Sequence, residues 1–190
     1  MSIDLIYETH SLTTDNESGR ATGWLPGELS ERGRRLADEL GQRRRGDGLA
    51  AVFVSDLARA VDTARIAFAG TQIPIYQDVR LRECDYGQLN GAPVAELEAD
   101  RLRHIDEPYP GGQSYRQVVE QTQDFLRDLA ARWDGARILL VAHAANRLAL
   151  DCLLGGRTLE EVAAAPFGWR EGWHYQLPHG WTGTPAAGVG

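Results

Sequence analysis

The sequence predicts an α/β fold, a three-layer α/β/α sandwich around a mostly parallel central sheet. Short aliphatic runs alternate along the chain with amphipathic stretches, and several amphipathic stretches begin with recognisable helix caps. Parallel neighbouring strands need crossover connections, and crossover helices cover both faces of a sheet. A chain of 190 residues with 43% hydrophobic content is large enough for one domain with one substantial core.

The aliphatic runs are predicted to be buried strands, because they are short and lack the polar alternation of a half-exposed strand. They cover residues 3–7, 51–54, 73–75 and 138–142. The helices are predicted from Ser or Thr residues that precede apolar residues at helical spacing, two of them with the spacing of a capping box. The predicted first residues of these helical segments are Ser30, Ser55, Ser114 and Thr158.

Residues 1–178 are predicted to form this single domain. Residues 179–190 contain four glycines and Pro185 and have no apolar pattern, so they are predicted to be a flexible C-terminal tail. Within the domain, residues 9–29 form a long segment rich in Gly, Asn, Ser and Thr without sustained periodicity. Loops of this length in a compact domain are typically functional.

The charge composition limits the possible partners. The chain has 20 basic and 27 acidic residues, a net charge of −7, so it lacks the broad basic surface that nucleic acid or an anionic membrane requires. All the basic residues are arginines, which excludes lysine Schiff-base chemistry, a P-loop lysine and attachment of pyridoxal phosphate. The expected partner is a small molecule, and a homodimer is an open possibility.

The cellular compartment is inferred from the cysteines and from the apolar runs. Cys84 and Cys152 are far apart and form neither a disulfide framework nor a zinc motif. The first residues do not resemble a signal peptide, and no apolar run approaches the ~18 residues of a membrane span. These features predict a soluble cytoplasmic protein.

Three residues capable of chemistry follow predicted strands. His10 comes shortly after the first strand, Arg59 lies in the first helical turn after the second, and His143 directly follows the last. Ligands of open α/β sheets bind beyond the carboxyl ends of the strands. Helices that begin after Ser55 and at Ala144 would add backbone N–H groups there. The combination predicts an anion site, with phosphate as the natural guest.

The order of these residues resembles the histidine phosphatase superfamily, the phosphoglycerate-mutase-like proteins. The resemblance extends from about residue 3 to residue 150 and consists of sequence blocks in the family's order. The blocks are Thr9-His10-Ser11-Leu12-Thr13-Thr14-Asp15-Asn16, the segment from Ser55 to Ala64 around Arg59, Leu81-Arg82-Glu83, Pro110-Gly111-Gly112-Gln113-Ser114, and Val141-Ala142-His143-Ala144.

The resemblance implies a phosphoglycerate-mutase-like fold and a role for each matched residue. His10 would be the nucleophile, with its second ring nitrogen held by a backbone carbonyl, and Glu83 would act first as general acid and then as base. Arg59 and His143 would hold the phosphoryl oxygens. No metal or other cofactor is required. The residues expected to bind substrate around this set are Thr9, Ser11, Asn16, Arg20, Trp24 and Ala144.

The first block departs from the family pattern. Thr9 stands where the family has arginine, Ser11 where it has glycine, and Gln113 where it has glutamate. Threonine cannot supply the fixed charge and the two-pronged hydrogen bonding of arginine. Arg20 could swing inward, the Thr9 and Ser11 hydroxyls could donate, or the bound group could carry less charge.

The favoured hypothesis is a phosphomonoesterase for a small metabolite that works through phosphohistidine at His10. A mutase is less favoured, because family mutases tend to be longer chains. The altered first block also motivates a repurposed acid/base enzyme, such as a lyase, dehydratase or isomerase, on a substrate without phosphate. A non-catalytic binding module of the same fold is the third hypothesis, because fold alone does not establish activity.

Overall fold

The computed structural model describes residues 1–183 and contains a five-stranded sheet with helices on both faces. Strands and α-helices follow one another along the chain as β1 (Ile3–Thr9), α1 (Thr14–Glu17), α2 (Glu31–Arg44), β2 (Ala51–Val54), α3 (Ala58–Ala67), β3 (Ile75–Gln77), α4 (Val94–Asp100), α5 (Tyr115–Arg132), β4 (Arg137–Ala142), α6 (Ala144–Leu153), α7 (Leu159–Ala164) and β5 (Trp173–Leu177). Short 3-10 helices cover Val79–Leu81, Gly87–Leu89 and Arg103–Ile105.

The strand order is β3-β2-β4-β1-β5. All neighbours pair in parallel except β1 and β5, which pair antiparallel. The prediction of a mostly parallel sheet between two helical layers is therefore confirmed. β1 and β4 lie side by side with Thr9 opposite Ala142, so the residues that follow them, His10 and His143, leave the sheet at the same edge.

The two faces of the sheet bury separate apolar clusters. One cluster joins Ile3, Leu5 and Tyr7 of β1 to α5, and the other joins Ile6 of the same strand to apolar residues of α2 and α3. This alternation follows from the period of two in a β-strand. A third cluster lies beneath the segment between β3 and α5, where Tyr86, Leu97 and Tyr115 pack together with residues of α6 and α7. It holds that segment over the edge of the sheet.

Several predicted element boundaries differ from the observed ones. The strand predicted at residues 73–75 begins only at Ile75, because Pro74 has no N–H for the ladder. Ser30, Ser114 and Thr158 cap their helices as predicted, but the residue before α3 is Leu57, and it makes no side-chain cap. The β5 strand was not predicted, although its Trp173, Tyr175 and Leu177 alternate with polar residues.

The start of the segment predicted to be a flexible tail contacts α5. Gln123 Nε2 donates to the carbonyl of Gly183 at 3.0 Å, and Arg127 Nε donates to the carbonyl of Thr182 at 2.7 Å. Residues 184–190, the remainder of that segment, lie outside the described residues. In the described chain, no helix combines the length and the apolar character needed to cross a membrane.

Candidate active site

A cavity of about 550 Å³ opens at the edge of the sheet where β1 and β4 end. His10, Arg59, Glu83 and Ala144 contribute to its wall. The His143 ring lies directly behind this wall, fully buried, with its centroid 5.0 Å from that of His10. The four residues proposed to carry the chemistry thus come from four separate elements and meet at one place.

His10 is held in a defined orientation by its own backbone. Its Nδ1 lies 2.8 Å from the carbonyl oxygen of Ser11, so this nitrogen carries the proton that the carbonyl accepts. Nε2 is therefore the unprotonated nitrogen, and it accepts a long hydrogen bond of 3.4 Å from Arg59 Nε. The ring is therefore in the neutral form that a nucleophile requires, with the Nε2 lone pair directed at the weakly bound Arg59 Nε.

Arg59 is a buried cation at the first turn of α3. Only 2% of its surface is exposed, and its Nη2 donates to the carbonyl of Gly23 at 2.7 Å. Its Nη1 donates to the carbonyl of Leu25 at 3.3 Å. The guanidinium therefore links the active site to the long segment of residues 9–29, and it places a fixed positive charge beside His10.

His143 is oriented by Ser55, the residue that follows β2. Ser55 Oγ lies 2.7 Å from His143 Nε2, and neither residue is exposed to solvent. The Ser55 hydroxyl also accepts from the backbone N–H of Leu57 at 3.3 Å, although Leu57 and not Ser55 is the residue before α3. Within residues 1–183, the buried Nδ1 of His143 has no hydrogen-bond partner. The Tyr7 hydroxyl donates to the His143 carbonyl at 2.6 Å and fixes the backbone of this residue to β1.

The Glu83 carboxylate lies against the N-terminus of α6. Its Oε1 accepts from the backbone N–H of Cys84 at 2.9 Å and from that of Ala145 at 3.2 Å. Asn146 completes this corner, because its Oδ1 accepts from the His143 N–H and its Nδ2 donates to the carbonyl of Arg82. A negative group at this position is stabilised by the positive end of the helix dipole.

A second set of contacts supports Glu83 from behind. The Trp24 indole N–H donates to the Glu83 carbonyl at 2.7 Å, and the Arg82 guanidinium lies 4.6 Å from the centre of the Trp24 ring. Arg82 is itself held by two hydrogen bonds of 2.7 and 2.6 Å to Asp56. The chain on both sides of Glu83 is thereby fixed relative to the start of α3.

The residues predicted to bind substrate are only partly arranged for that role. Thr9, Ser11, Asn16, Arg20 and Ala144 all line the cavity, but Trp24 does not; its ring packs against Arg82 instead, which corrects the prediction of a pocket wall.

Three of the cavity-lining residues have polar groups bound within the protein. The Ser11 hydroxyl donates to the carbonyl of Gly33 at 2.6 Å, and Asn16 Oδ1 accepts from the Thr13 backbone and hydroxyl. Arg20 Nη1 donates to the carbonyl of Gly91. In this structure, two of the possible replacements for the missing arginine, the Arg20 guanidinium and the Ser11 hydroxyl, are thus bound to main-chain carbonyls.

Two residues that matter to the geometry were missed at the sequence level. Ser55 was assigned to a helix cap, although its place directly after β2 was the signal for a residue at the ligand-binding edge. Asn146 follows His143 by three residues, the spacing of a capping pair, and this spacing could have identified it as a residue that orients the His143 backbone.

Burial sets the protonation of the site. It lowers the pKa of His10 to about 3, with the Arg59 charge adding to the effect, while the bond to Ser11 opposes it. Burial also lowers the pKa of His143 well below its usual value, helped by Arg59 and His10. The pKa of Glu83 is raised by burial, although its backbone hydrogen bonds and Arg59 act in the other direction. Both imidazoles are therefore neutral at physiological pH.

We expect the protein to lose stability as the pH falls below about 6.5, the usual imidazole pKa. Unfolded His10 and His143 take up protons that the folded protein excludes, so acidification favours unfolding by roughly 1–2 kcal/mol per imidazole near pH 5. The raised pKa of Glu83 acts in the opposite sense, because the folded protein binds that proton more readily. Urea unfolding at a series of pH values measures the net slope.

The contribution of His10 to this slope is isolated by His10→Gln. This variant should lose less stability between about pH 7 and pH 5 than the wild type. The matched control is His174→Gln, because His174 is exposed on β5. Equal slopes in the wild type and His10→Gln would show that burial does not suppress protonation of this ring.

Comparison with known proteins identifies relatives over most of the chain. A family model described as the histidine phosphatase superfamily (branch 1) matches residues 9–168. Phosphoserine phosphatase 1 of Hydrogenobacter thermophilus is 28% identical over 84% of this chain and 79% of its own length. A 2,3-bisphosphoglycerate-dependent phosphoglycerate mutase of Methylobacterium is 30% identical over 83% of each chain.

Solved structures show the same architecture. Bacillus stearothermophilus YhfR superposes with a TM-score of 0.78 at 28% identity, covering 89% of this chain and 88% of that one. A mycobacterial glucosyl-3-phosphoglycerate phosphatase, solved with VO3, has a TM-score of 0.75 at 29% identity, covering 86% and 87%. Relatives of this chain thus include both phosphatases and mutases.

Proposed function

The chain belongs to the histidine phosphatase superfamily, and from this membership we propose that it is a phosphomonoesterase that acts on a small phosphorylated metabolite through phosphohistidine at His10. The observation that carries the proposal is the state of His10. Its Nδ1 is held by the Ser11 carbonyl, so Nε2 offers a lone pair to a cavity where Arg59 supplies positive charge. A neutral, oriented imidazole beside a cation is suited to attack an electron-poor phosphorus atom.

In the first half-reaction, His10 Nε2 attacks the phosphorus atom and the bond from phosphorus to the substrate oxygen breaks. Arg59 lies beside His10 Nε2, where negative charge develops, and the His143 ring lies 5.0 Å from the His10 ring with an unpartnered Nδ1 that would serve as a second donor. Fixed donors of this kind stabilise a phosphoryl group in transit. Protonated Glu83 donates its proton to the departing oxygen, which leaves as an alcohol. The raised pKa of Glu83 supports this role, because burial favours the acid form.

In the second half-reaction, water attacks the phosphohistidine. Glu83, now a carboxylate, accepts a proton from this water, the bond between nitrogen and phosphorus breaks, and phosphate leaves with His10 restored. The backbone N–H groups of Cys84 and Ala145 stabilise the carboxylate form between the two steps. Burial favours the protonated form of Glu83, and the amide contacts favour its carboxylate form. The two effects together suit a side chain that gains and loses a proton in every catalytic cycle.

The cavity wall that follows Glu83 in sequence suggests the character of the leaving alcohol. Tyr86, Leu97 and Tyr115 contribute apolar surface there, and Arg101 adds a cation that is paired with Glu98 at 3.4 Å. Apolar walls with few polar groups are typical of small-molecule sites. A compact metabolite with an apolar body is the substrate that this wall favours.

A panel of phosphomonoesters, with released phosphate as the readout, tests the proposal. We expect release from at least one small alkyl or aryl phosphate and a transient, acid-labile phosphoprotein that can be trapped by rapid quenching. Absence of phosphate release across the panel would contradict the proposed phosphomonoesterase activity, and a further failure to bind orthovanadate would exclude an oxyanion site. That result would favour the alternative of acid/base chemistry on a substrate without phosphate.

Replacement of Glu83 by glutamine should slow the hydrolysis most for substrates whose leaving oxygen must be protonated. Loss of a general acid typically costs roughly 10²–10⁴-fold in rate. The loss should be large for an alkyl phosphate and small for para-nitrophenyl phosphate, whose phenolate leaves without protonation. Rates for the two substrates with wild type and Glu83→Gln measure the difference, and Glu96→Gln on exposed α4 is the control. An equal loss on both substrates would contradict the acid role.

A further inference from the structure

The cavity has to compensate for the threonine at position 9. Thr9 lines the cavity, and its hydroxyl is buried without a hydrogen-bond partner in residues 1–183. A hydroxyl is a neutral donor and cannot balance the charge of a phosphate dianion. A phosphomonoester therefore requires a second cation besides Arg59.

Most of the cations in the cavity wall are already bound within the protein. Arg20 donates to the Gly91 carbonyl, and Arg101 pairs with Glu98. Arg43 lies 3.8 Å from both Glu8 and Glu171. Each of these contacts would have to be broken, or shared, before the side chain could bind a substrate.

Arg32 differs from these arginines. It is exposed, it lines the cavity, and among the described residues it is the only cavity-lining arginine with no hydrogen-bond or ion-pair partner. Glu8, the acidic residue in the wall nearest in sequence to Thr9, does not compete for it, since Glu8 is bound to Arg44 at 2.8 Å.

The first turn of α2 places Arg32 beside the nucleophile's segment. The carbonyl of Gly33 accepts the Ser11 hydroxyl, and a Cβ at Gly33 would lie 1.8 Å from the Leu12 carbonyl oxygen. Only glycine permits this approach, which brings the helix directly onto the residues after His10. Leu36, one turn further along α2, also lines the cavity, so this face of the helix is turned toward the site.

We infer that Arg32 is a phosphate-binding residue that supplies the second positive charge, with the Thr9 hydroxyl as a neutral donor beneath it. The inference rests on the proposed function and extends it to Arg32, a residue to which the resemblance assigns no role. The ligand is a tetrahedral oxyanion of the phosphate class. Arg32 reaches it from the first turn of α2 rather than from the end of β1.

Binding of orthovanadate, measured by calorimetry, tests this without requiring turnover. Arg32→Gln should weaken binding by roughly 10- to 100-fold, the effect expected for one charge-assisted hydrogen bond. The vanadate affinity of Arg32→Lys should lie between that of Arg32→Gln and that of the wild type, because lysine keeps the positive charge but cannot form the two-pronged hydrogen bonds of a guanidinium. The control is Arg34→Gln, an exposed arginine on the same turn that does not line the cavity. Equal affinity in Arg32→Gln, Arg34→Gln and the wild type would overturn the inference.

Restoring the family's arginine provides a second measurement. In the Arg32→Gln background, Thr9→Arg should recover vanadate affinity, because the charge returns by a different route. If the folded double variant does not regain vanadate affinity, Arg32 does not replace the charge of the family's arginine at position 9. A wild type that binds vanadate through Arg32 but releases no phosphate would contradict the proposed function and leave this inference standing. If the wild type hydrolyses phosphomonoesters and Arg32→Gln binds vanadate as tightly as the wild type, the proposed function stands and the inference about Arg32 is wrong.

Discussion

Replacing His10 with asparagine should lower phosphomonoester turnover by on the order of 10⁴-fold or more, because removal of a nucleophile eliminates the covalent route. Asparagine is close to histidine in size and retains a polar side chain beside Ser11, so the fold should persist. The acid-labile phosphoprotein seen by rapid quenching in the wild type should be absent. Substrate binding should persist, since Arg59 and His143 are unchanged.

The control for this variant is His174→Asn on the exposed face of β5. It should retain full activity and full phosphoprotein. Phosphate release from His10→Asn at more than a few per cent of the wild-type rate would show that His10 is not the nucleophile. A stable complex of this variant with uncleaved substrate would provide the material for identifying the natural metabolite.

Replacing Arg59 with glutamine should reduce kcat/KM by roughly 10³–10⁵-fold, the range found when a phosphoryl-transfer arginine is removed. Two effects combine in this number. The cation beside His10 Nε2 disappears, and the carbonyls of Gly23 and Leu25 lose their donors. The bond to the Gly23 carbonyl is buried, and leaving a buried carbonyl unsatisfied costs about 1–3 kcal/mol in stability, whereas Leu25 is exposed and its carbonyl can bind water.

Arg59→Lys separates the two effects, because lysine keeps the charge but cannot donate to both carbonyls and to His10 together. It should recover part of the rate while unfolding at a lower urea concentration than the wild type. The matched control is Arg65→Gln on the exposed side of the same helix. A loss of less than tenfold in kcat/KM for Arg59→Gln would mean that another group stabilises the phosphoryl oxygens.

The features that the sequence predicted well are those specified by local pattern. The Ser114 and Thr158 capping boxes need only residues three positions apart, and both are present. The edge of the sheet where His10 and His143 meet follows from the parallel order of buried strands, which the aliphatic runs indicate without knowledge of tertiary contacts.

The features that were missed depend on partners far away in the chain. Ser55 has the sequence context of a helix cap, and its hydroxyl does accept from the Leu57 N–H. Only the approach of His143, 88 residues later, decides that the same hydroxyl also contacts an imidazole. The sequence neighbours of Trp24 predict a place in the pocket wall, but its ring stacks on Arg82 and its indole N–H binds the carbonyl of Glu83. β5 was missed because it is an antiparallel edge strand with alternating polar residues, unlike the continuous aliphatic runs of its neighbours.

The pairing of β1 with β4 has a consequence for how this enzyme could change its substrate. The main-chain positions from which His10 and His143 leave the sheet are set by the hydrogen-bonded pairing of the two strands, and this pairing does not depend on the side chains of the cavity wall. Part of the cavity wall comes instead from α4 and its flanking turns, which lie outside the sheet. Natural or laboratory selection can therefore change the α4 segment without disturbing the strand pairing that positions the two histidines. New substrate specificities should arise by exchange of α4 and its flanking turns.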